Sequence, residues 1–358
     1  MTLFDSPSFE GHEGVHSFYD DKTGLKCIIA VHSTARGPAA GGCRMWSYAS
    51  AEAAMEDALR LSRAMSYKNA MADLALGGGK AVIIGESRTQ KTPALFEAFG
   101  RAVEVLGGRY WTAEDVGVSP ADLMHARKHT QYVAGLEGHA GASGDPSPVT
   151  ADGVFRGLSL CVARALNRDL AGLTVAIQGV GHVGAHLADK LHAAGAKLII
   201  ADVNEAAAAE VAARTGAQVV SSTAIFDTAA EVFAPCALGG AINGVTLGRL
   251  QARVVAGGAN NQLADPEIGQ ALFDRGILYA PDYVINGGGI INVAGEIRAL
   301  SRREGFEPEW VEAKLARLMQ TLEEVLDRSL AENRPTHEVA NGIARARIAA
   351  AAQAGGAA

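Results

Sequence analysis

Cysteine is scarce in this 358-residue chain, and the four that occur are never paired in sequence. Cys27, Cys43, Cys161 and Cys236 show no CxxC spacing. That argues against a zinc site or a dithiol motif, and predicts reduced thiols, each a small core residue, in a cytoplasmic protein. Long apolar runs are missing too. No stretch approaches the ~20 residues that span a bilayer, and the opening MTLFDSPSFEGHEG has neither the basic nor the apolar region of a secretory signal. Positive charge is in deficit: 32 lysines and arginines against 39 aspartates and glutamates leave a net charge of −7. With no basic run, neither nucleic acid nor a membrane surface is an expected partner. Internal repeats are absent, and only the short Ala-Gly end has low complexity.

Glycine, by contrast, is abundant, with 42 residues, and three of them frame a lysine. In LALGGGK, residues 74–80, the triplet removes side-chain bulk so that backbone can approach a small ligand. The run Ala81 to Ile84 follows as a buried strand, which sets Lys80 at the mouth of a fixed element. A lysine that is partly desolvated and close to a second cation loses its hold on its proton and can act as a base near neutral pH. Lys68, in MSYKNA, is a candidate for that cation. Taken alone, the segment also reads as a Gly-rich turn with a solvated lysine. Asp115, in TAEDVG, falls just past the predicted strand Arg109 to Thr112, where α/β proteins place ligand-binding groups. On its own it also reads as a loop cap.

The hydrophobic share of 48% and charged share of 20% describe an ordinary globular protein, long enough for two domains. Residues 15–19 and 25–32 read as a hairpin, and Ser50 caps a helix running to Ala64. A second helix spans Leu95 to Leu106. Composition shifts to Gly, Ser and Pro at 135–149, which reads as a linker or a loop beside a cleft. Beyond it, strand and helix alternate from Leu173 to Asn286, which predicts a doubly wound parallel sheet. Helices close the chain over 309–330 and 338–352.

GxGxxG alone is a weak signal, but Gly179-Val180-Gly181-His182-Val183-Gly184 follows the strand LTVAIQ, opens a helix, and precedes a second strand ending at Asp202. Gly179 permits the tight turn, Gly181 lets backbone meet a pyrophosphate, and Gly184 lets helix pack on strand. The helix N-terminus faces the phosphates with partial positive charge. Asp202 would accept hydrogen bonds from the ribose hydroxyls and repel a 2′-phosphate, so NAD is expected over NADP.

GPAAGGCRMW, MSYKNA, LALGGGKAVI, TAEDVG, GDPSPVTADGV, GVGHVG, APCALGG, GGANNQL and YAPDYVINGGGIINVA occur in this order between residues 37 and 294, and the resemblance they carry covers about residues 11 to 350. Together they resemble the glutamate/leucine/phenylalanine/valine dehydrogenase family, its leucine branch most. The resemblance implies an N-terminal α/β substrate domain and a Rossmann-type doubly wound dinucleotide-binding domain with a cleft between them. Residues 1–135 would form the substrate, catalytic and oligomerisation domain, joined by the C-terminal helix at about 331–358. Residues 136–149 would be the linker and 150–330 the NAD-binding domain. The reaction implied is reversible oxidative deamination of an L-amino acid to the 2-oxo acid and ammonia, in a homo-oligomer, with an octamer favoured over a dimer or tetramer. By resemblance Lys80 would be the base that activates water, Lys68 would bind the substrate carboxylate with help from the backbone at Gly42, and Asp115 would relay a proton to or from the substrate nitrogen. Thr150 and Asn260 would hold the nicotinamide end, with Cys236 and Ala237 near the ring. No metal is implied.

The side-chain pocket decides which amino acid. In the glutamate branch the position before the paired glycines carries a lysine; here it is Ala40, which would leave a glutamate carboxylate unpaired in the pocket. By resemblance Ala113, Ile290 and Val293 would be the other apolar walls. Leucine, valine and isoleucine are the expected substrates. Ala40 is smaller than its usual counterpart in the leucine branch, so phenylalanine is the alternative. A non-catalytic NAD-binding sensor is a further alternative, whose signature would be loss of Lys68, Lys80 or Asp115. Gly287 and Gly295 also depart from the family pattern; the first is expected to loosen its wall, and the second has no assigned consequence.

Overall fold

The computed structural model describes residues 3–136, 138 and 141–355. The chain divides into two compact units, one of Met1–Asp145 with Ile290–Val311 and Ala344–Ala358, the other of Pro146–Gly289 with Glu312–Ile343.

The first unit opens with β1 (Gly14–Asp20) and β2 (Leu25–Ser33), an antiparallel hairpin that pairs Asp20 with Leu25. Then follow β3 (Ala39–Ala40), β4 (Cys43–Trp46), α1 (Ala51–Met71), β5 (Gly77–Ile84), α2 (Pro93–Val105), β6 (Tyr110–Trp111) and α3 (Pro120–Arg127). The sheet order is β1-β2-β5-β3-β6, with β4 also paired to β5. Successive side chains of a strand point to opposite faces, and both faces here are buried. Ile29, Val31 and Ile83 pack with Phe96 and Phe99 of α2, while Ala30 and Val82 pack with Ala58 and Leu59 of α1. Ser50 caps α1 as expected, accepting from the Ala53 N–H, but the helix runs to Met71 and so carries Lys68. Arg347 donates to the carbonyls of Ala70 and Met71 at 3.1 and 3.3 Å, which places a cation on the negative end of α1.

The glycine triplet is not a turn in front of a strand. Gly77, Gly78 and Gly79 are themselves part of β5. Close packing explains this: a Cβ on Gly79 would lie 2.6 Å from the Tyr110 ring, and one on Gly78 would strike Ser66 of α1.

The second unit contains α4 (Ser147–Leu166), β7 (Thr174–Gln178), α5 (His182–Ala193), β8 (Lys197–Ala201), α6 (Glu205–Thr215), β9 (Gln218–Val219), β10 (Val232–Pro235), β11 (Val254–Val255), α7 (Pro266–Asp274), β12 (Leu278–Tyr279) and α8 (Asp282–Ile285). Its strands are all parallel, in the order β12-β11-β10-β7-β8-β9. This is a doubly wound sheet whose strand order reverses at β7. Its core includes Ala176, Phe233, Val255 and Leu272. The chain ends with α9 (Gly288–Arg302), α10 (Pro308–Glu332) and α11 (Thr336–Gly355).

The units do not follow the boundaries expected from sequence. Residues 290–311, expected with the nucleotide domain, group with the first unit, and residues 331–343, expected with the first domain, group with the second. The segment expected as a linker at 136–149 includes Glu137, His139 and Ala140, which lie outside the described residues. Its other residues as far as Asp145 belong to the first unit. The reason is a buried carboxylate on α9. Glu296 accepts from the Leu136 N–H at 3.3 Å, the Ser143 N–H at 3.1 Å and the Ser143 hydroxyl at 2.7 Å, and Asn292 donates to the Ser143 carbonyl at 3.2 Å.

Candidate active site

Lys80 sits in the interior of β5, opposite Ala30 of β2, on the face that looks toward α1. It is 4% exposed. Its Nζ contacts Oδ2 of Asp115, which stands in the turn after β6. The other oxygen of Asp115 accepts the Val116 N–H at 2.5 Å and faces Arg44 at 3.8 Å. Burial is the main cause that pushes the Lys80 pKa from 10.5 down to about 7. Arg44 is the next, and Lys68 adds to it, while Cys43 and Asp57 oppose it. Lys68 on α1 thus bears on Lys80 as a cation, as expected, though Arg44 bears on it more.

Bare backbone surrounds the pair. A Cβ on Gly42 would come within 2.9 Å of the Asp115 Cβ, and the Tyr110 hydroxyl donates to the Gly41 carbonyl at 2.6 Å. Ala40 on β3 pairs with Gly78 on one side and Trp111 on the other, and is buried. Ala113 lies two residues before Asp115, also buried, and its carbonyl accepts the Cys43 N–H at 2.8 Å. Ile290 and Val293 lie on α9, the first half-buried and the second buried. On the same helix a Cβ at Gly295 would come within 2.9 Å of the Phe306 ring, which is why an acidic side chain has no room there.

In the second unit, β7 ends at Gln178 and the chain turns at Gly179, whose φ of +92° suits glycine. A Cβ there would meet Ala237 at 2.7 Å. Gly181 is the N-cap of α5 and is exposed, with nothing within 4 Å of where its Cβ would be. A side chain would fill that open space over the helix N-terminus, so the turn fits an approaching pyrophosphate. Gly184, in the first turn of α5, packs on the Gly179 carbonyl. His182 is exposed, Val180 is buried and Val183 half-buried. Asp202 follows β8 directly, with its carboxylate fixed: Oδ2 accepts the Val180 N–H at 2.7 Å and Oδ1 the Asn204 N–H at 2.8 Å.

Cys236 follows β10, donates its N–H to the Gln178 carbonyl at 2.7 Å, and accepts the Gly258 N–H on sulfur at 3.4 Å. Burial pushes its thiol up to about 11. The Asn260 carbonyl oxygen of the side chain accepts from Asn286 at 2.8 Å. Thr150, in the first turn of α4, donates to the Pro146 carbonyl at 2.9 Å, and its hydroxyl lies 2.8 Å from where a Gly289 Cβ would be. Gly287 does not loosen its wall: a Cβ there would come within 3.1 Å of Leu318.

Sequence reasoning overlooked Arg44 and Asp57. The available signal was strand alternation. Arg44 pairs with Val82 in β4–β5 register and so shares a face with Lys80 two residues away. Among the described residues there is no cluster of three metal-ligating side chains, and no helix is long and apolar enough to cross a membrane.

A buried lysine–aspartate pair in one unit and a Gly-rich turn on a doubly wound sheet in the other fit an oxidoreductase that uses a nicotinamide dinucleotide. Residues 12–132 match the dimerisation domain of the Glu/Leu/Phe/Val dehydrogenases, and residues 200–356 match Glutamate/Leucine/Phenylalanine/Valine dehydrogenase. The chain belongs to this family of amino acid dehydrogenases. It is 46% identical over 349 residues to leucine dehydrogenase of Geobacillus stearothermophilus, covering 97% of this chain and 94% of that one. It is 44% identical to phenylalanine dehydrogenase of Bacillus thermotolerans, covering 98% and 91%. The crystal structure of L-tryptophan dehydrogenase from Nostoc punctiforme superposes with a TM-score of 0.83 at 39% identity, covering 96% and 97%.

Proposed function

We propose that the protein catalyses the reversible, NAD-dependent oxidative deamination of an apolar L-amino acid, with leucine, valine and isoleucine favoured, to the 2-oxo acid and ammonia. The observation that carries the reading is Lys80, buried in a strand against Asp115 with its pKa down to about 7. A neutral amine at that place can take a proton from the water that attacks the imino carbon. Asp115 holds or moves the proton of the substrate nitrogen. Lys68 binds the substrate carboxylate, with the backbone at Gly42 left bare to receive it. A bound nicotinamide supplies the hydride acceptor.

The nucleotide reading rests on Asp202. Its fixed carboxylate suits two ribose hydroxyls and opposes a 2′-phosphate, which favours NAD over NADP. The backbone of Gly179 to Gly184 takes the pyrophosphate, including residues Val180, His182 and Val183, while Thr150 and Asn260 hold the nicotinamide end and Cys236 and Ala237 pack near its ring. For the substrate side chain, Ala40, Ala113, Ile290 and Val293 supply apolar walls without a cation, which speaks against glutamate. The small size of Ala40 supports a second reading, phenylalanine as the substrate. We further propose a homo-oligomer, an octamer by resemblance, with light scattering as its test. The edge position of β1 and the dimerisation-domain match support self-association.

Parallel kcat/KM values for leucine, valine, isoleucine, phenylalanine and glutamate, each with NAD and NADP and read as reduced-nucleotide absorbance, test the whole. The expectation is turnover with apolar substrates and NAD. Turnover limited to glutamate or to NADP would overturn it.

A further inference from the structure

One charged neighbour of the Lys80–Asp115 pair has no task in the mechanism above. Arg44 reaches from β4 with one terminal nitrogen 3.0 Å from Asp57 Oδ2 and the other 3.8 Å from Asp115 Oδ1. Asp57 is itself braced on α1. The Tyr48 hydroxyl donates to Oδ2 at 2.7 Å, and Arg60 to Oδ1 at 2.8 Å. The strand carrying Arg44 and the turn carrying Asp115 are locked in register by backbone bonds, Cys43 N–H to the Ala113 carbonyl at 2.8 Å and Met45 N–H to the Val116 carbonyl at 2.9 Å. Asp115 therefore lies between two cations, one at each oxygen, and only one of them can ever lose its proton, because a guanidinium stays charged.

We propose that Arg44 is a positioning residue for the reaction: anchored by Asp57, it holds Asp115 from the side opposite Lys80 and keeps a permanent positive charge beside the amine, so that Lys80 is the member of the set that gives up a proton. This rests on the reading of Lys80 as the base. The charges facing Lys80 come from three elements: Arg44 with the Cys43 thiol on β4, Asp57 and Lys68 on α1, and Asp115 after β6. After burial, Arg44 is the largest of the influences that weaken the lysine's hold on its proton. Asp57 opposes it, so the anchoring carboxylate is not the cause of the effect.

The test reads Lys80 directly. The pH dependence of its acetylation by acetic anhydride, followed by peptide mass spectrometry, is measured in the full-length wild type, Arg44→Met and Arg44→Lys, with kcat/KM for leucine over the same pH range. The expected midpoint in Arg44→Met is about one pH unit above wild type, so labelling at pH 6 is about tenfold slower. Arg44→Lys keeps the charge and returns the midpoint close to wild type, even if its kcat is lower. If Arg44→Met does not yield folded protein, Arg44→Gln takes its place with the same expectation. An unmoved midpoint in the neutral variant, or an equal rise in Arg44→Lys, overturns the proposal. Labelling that shifts as expected in a protein without turnover of any apolar amino acid supports the role of Arg44 in setting the amine and overturns the assigned reaction instead.

Discussion

Replacing Lys80 by methionine should change how stability depends on pH, and the size of the change follows from the burial of the amine. The native lysine releases its proton near pH 7, whereas in the unfolded chain it keeps it to near 10.5. Between those values the unfolded state binds more protons, so stability rises with pH. Relative to the unfolded chain, the folded lysine costs about 4 kcal/mol at pH 7 and about 2 kcal/mol at pH 9. Wild type should therefore gain about 2 kcal/mol from this group over that interval, and Lys80→Met should not. Cysteines and tyrosines also titrate in this range, but they are common to both proteins and cancel in the comparison. Guanidinium unfolding of both at pH 7 and pH 9 measures it. Parallel stability changes in the two proteins would refute the claim that the folded chain weakens the lysine's hold on its proton.

Lys80→Ala should lower turnover by about 100- to 10,000-fold while NADH binding, read by fluorescence, stays within twofold (about 0.4 kcal/mol); turnover near the wild-type rate would remove Lys80 as the base. Asp202→Ala should cost about 1.5–3 kcal/mol of NAD binding and narrow the preference for NAD over NADP, which side-by-side kcat/KM values for the two nucleotides report. Gly79→Ala should destabilise by about 1–3 kcal/mol, because the added methyl meets the Tyr110 ring at 2.6 Å. Calorimetry checks this, and an unchanged melting temperature would contradict the packing described for β5.

The parallel sheet was the more legible half of the chain. Strand and helix alternate there with clear periods, and the turn at Gly179 to Gly184 carries its own physical logic. The first unit was harder to read because its glycines mislead. A triplet of glycines signals a turn when read locally, yet Tyr110 and Ser66 crowd both faces of β5 and make glycine necessary inside a strand. Arg44 was hidden for a related reason. Its partners Asp57 and Asp115 lie 13 and 71 residues away, and the pairing of β4 with β5 together with the backbone bonds from β4 to the turn after β6 brings them together. Long-range membership was not legible either. Nothing in the spacing of α9 announces that Glu296 ties down residues 136 and 143, some 150 positions upstream.

The way the chain is shared out has a practical outcome for anyone who would take the protein apart. It passes from one unit to the other after Asp145, Gly289, Val311 and Ile343, and α9, α10 and α11 each contribute to both. No single cut of the gene yields an intact half. A fragment ending at Asp145 would lose the carboxylate that secures its own last loop and the arginine that closes the end of α1. Working isolated halves would have to be stitched from separate pieces of the reading frame, so folding of either is expected to wait for synthesis of the C-terminal helix.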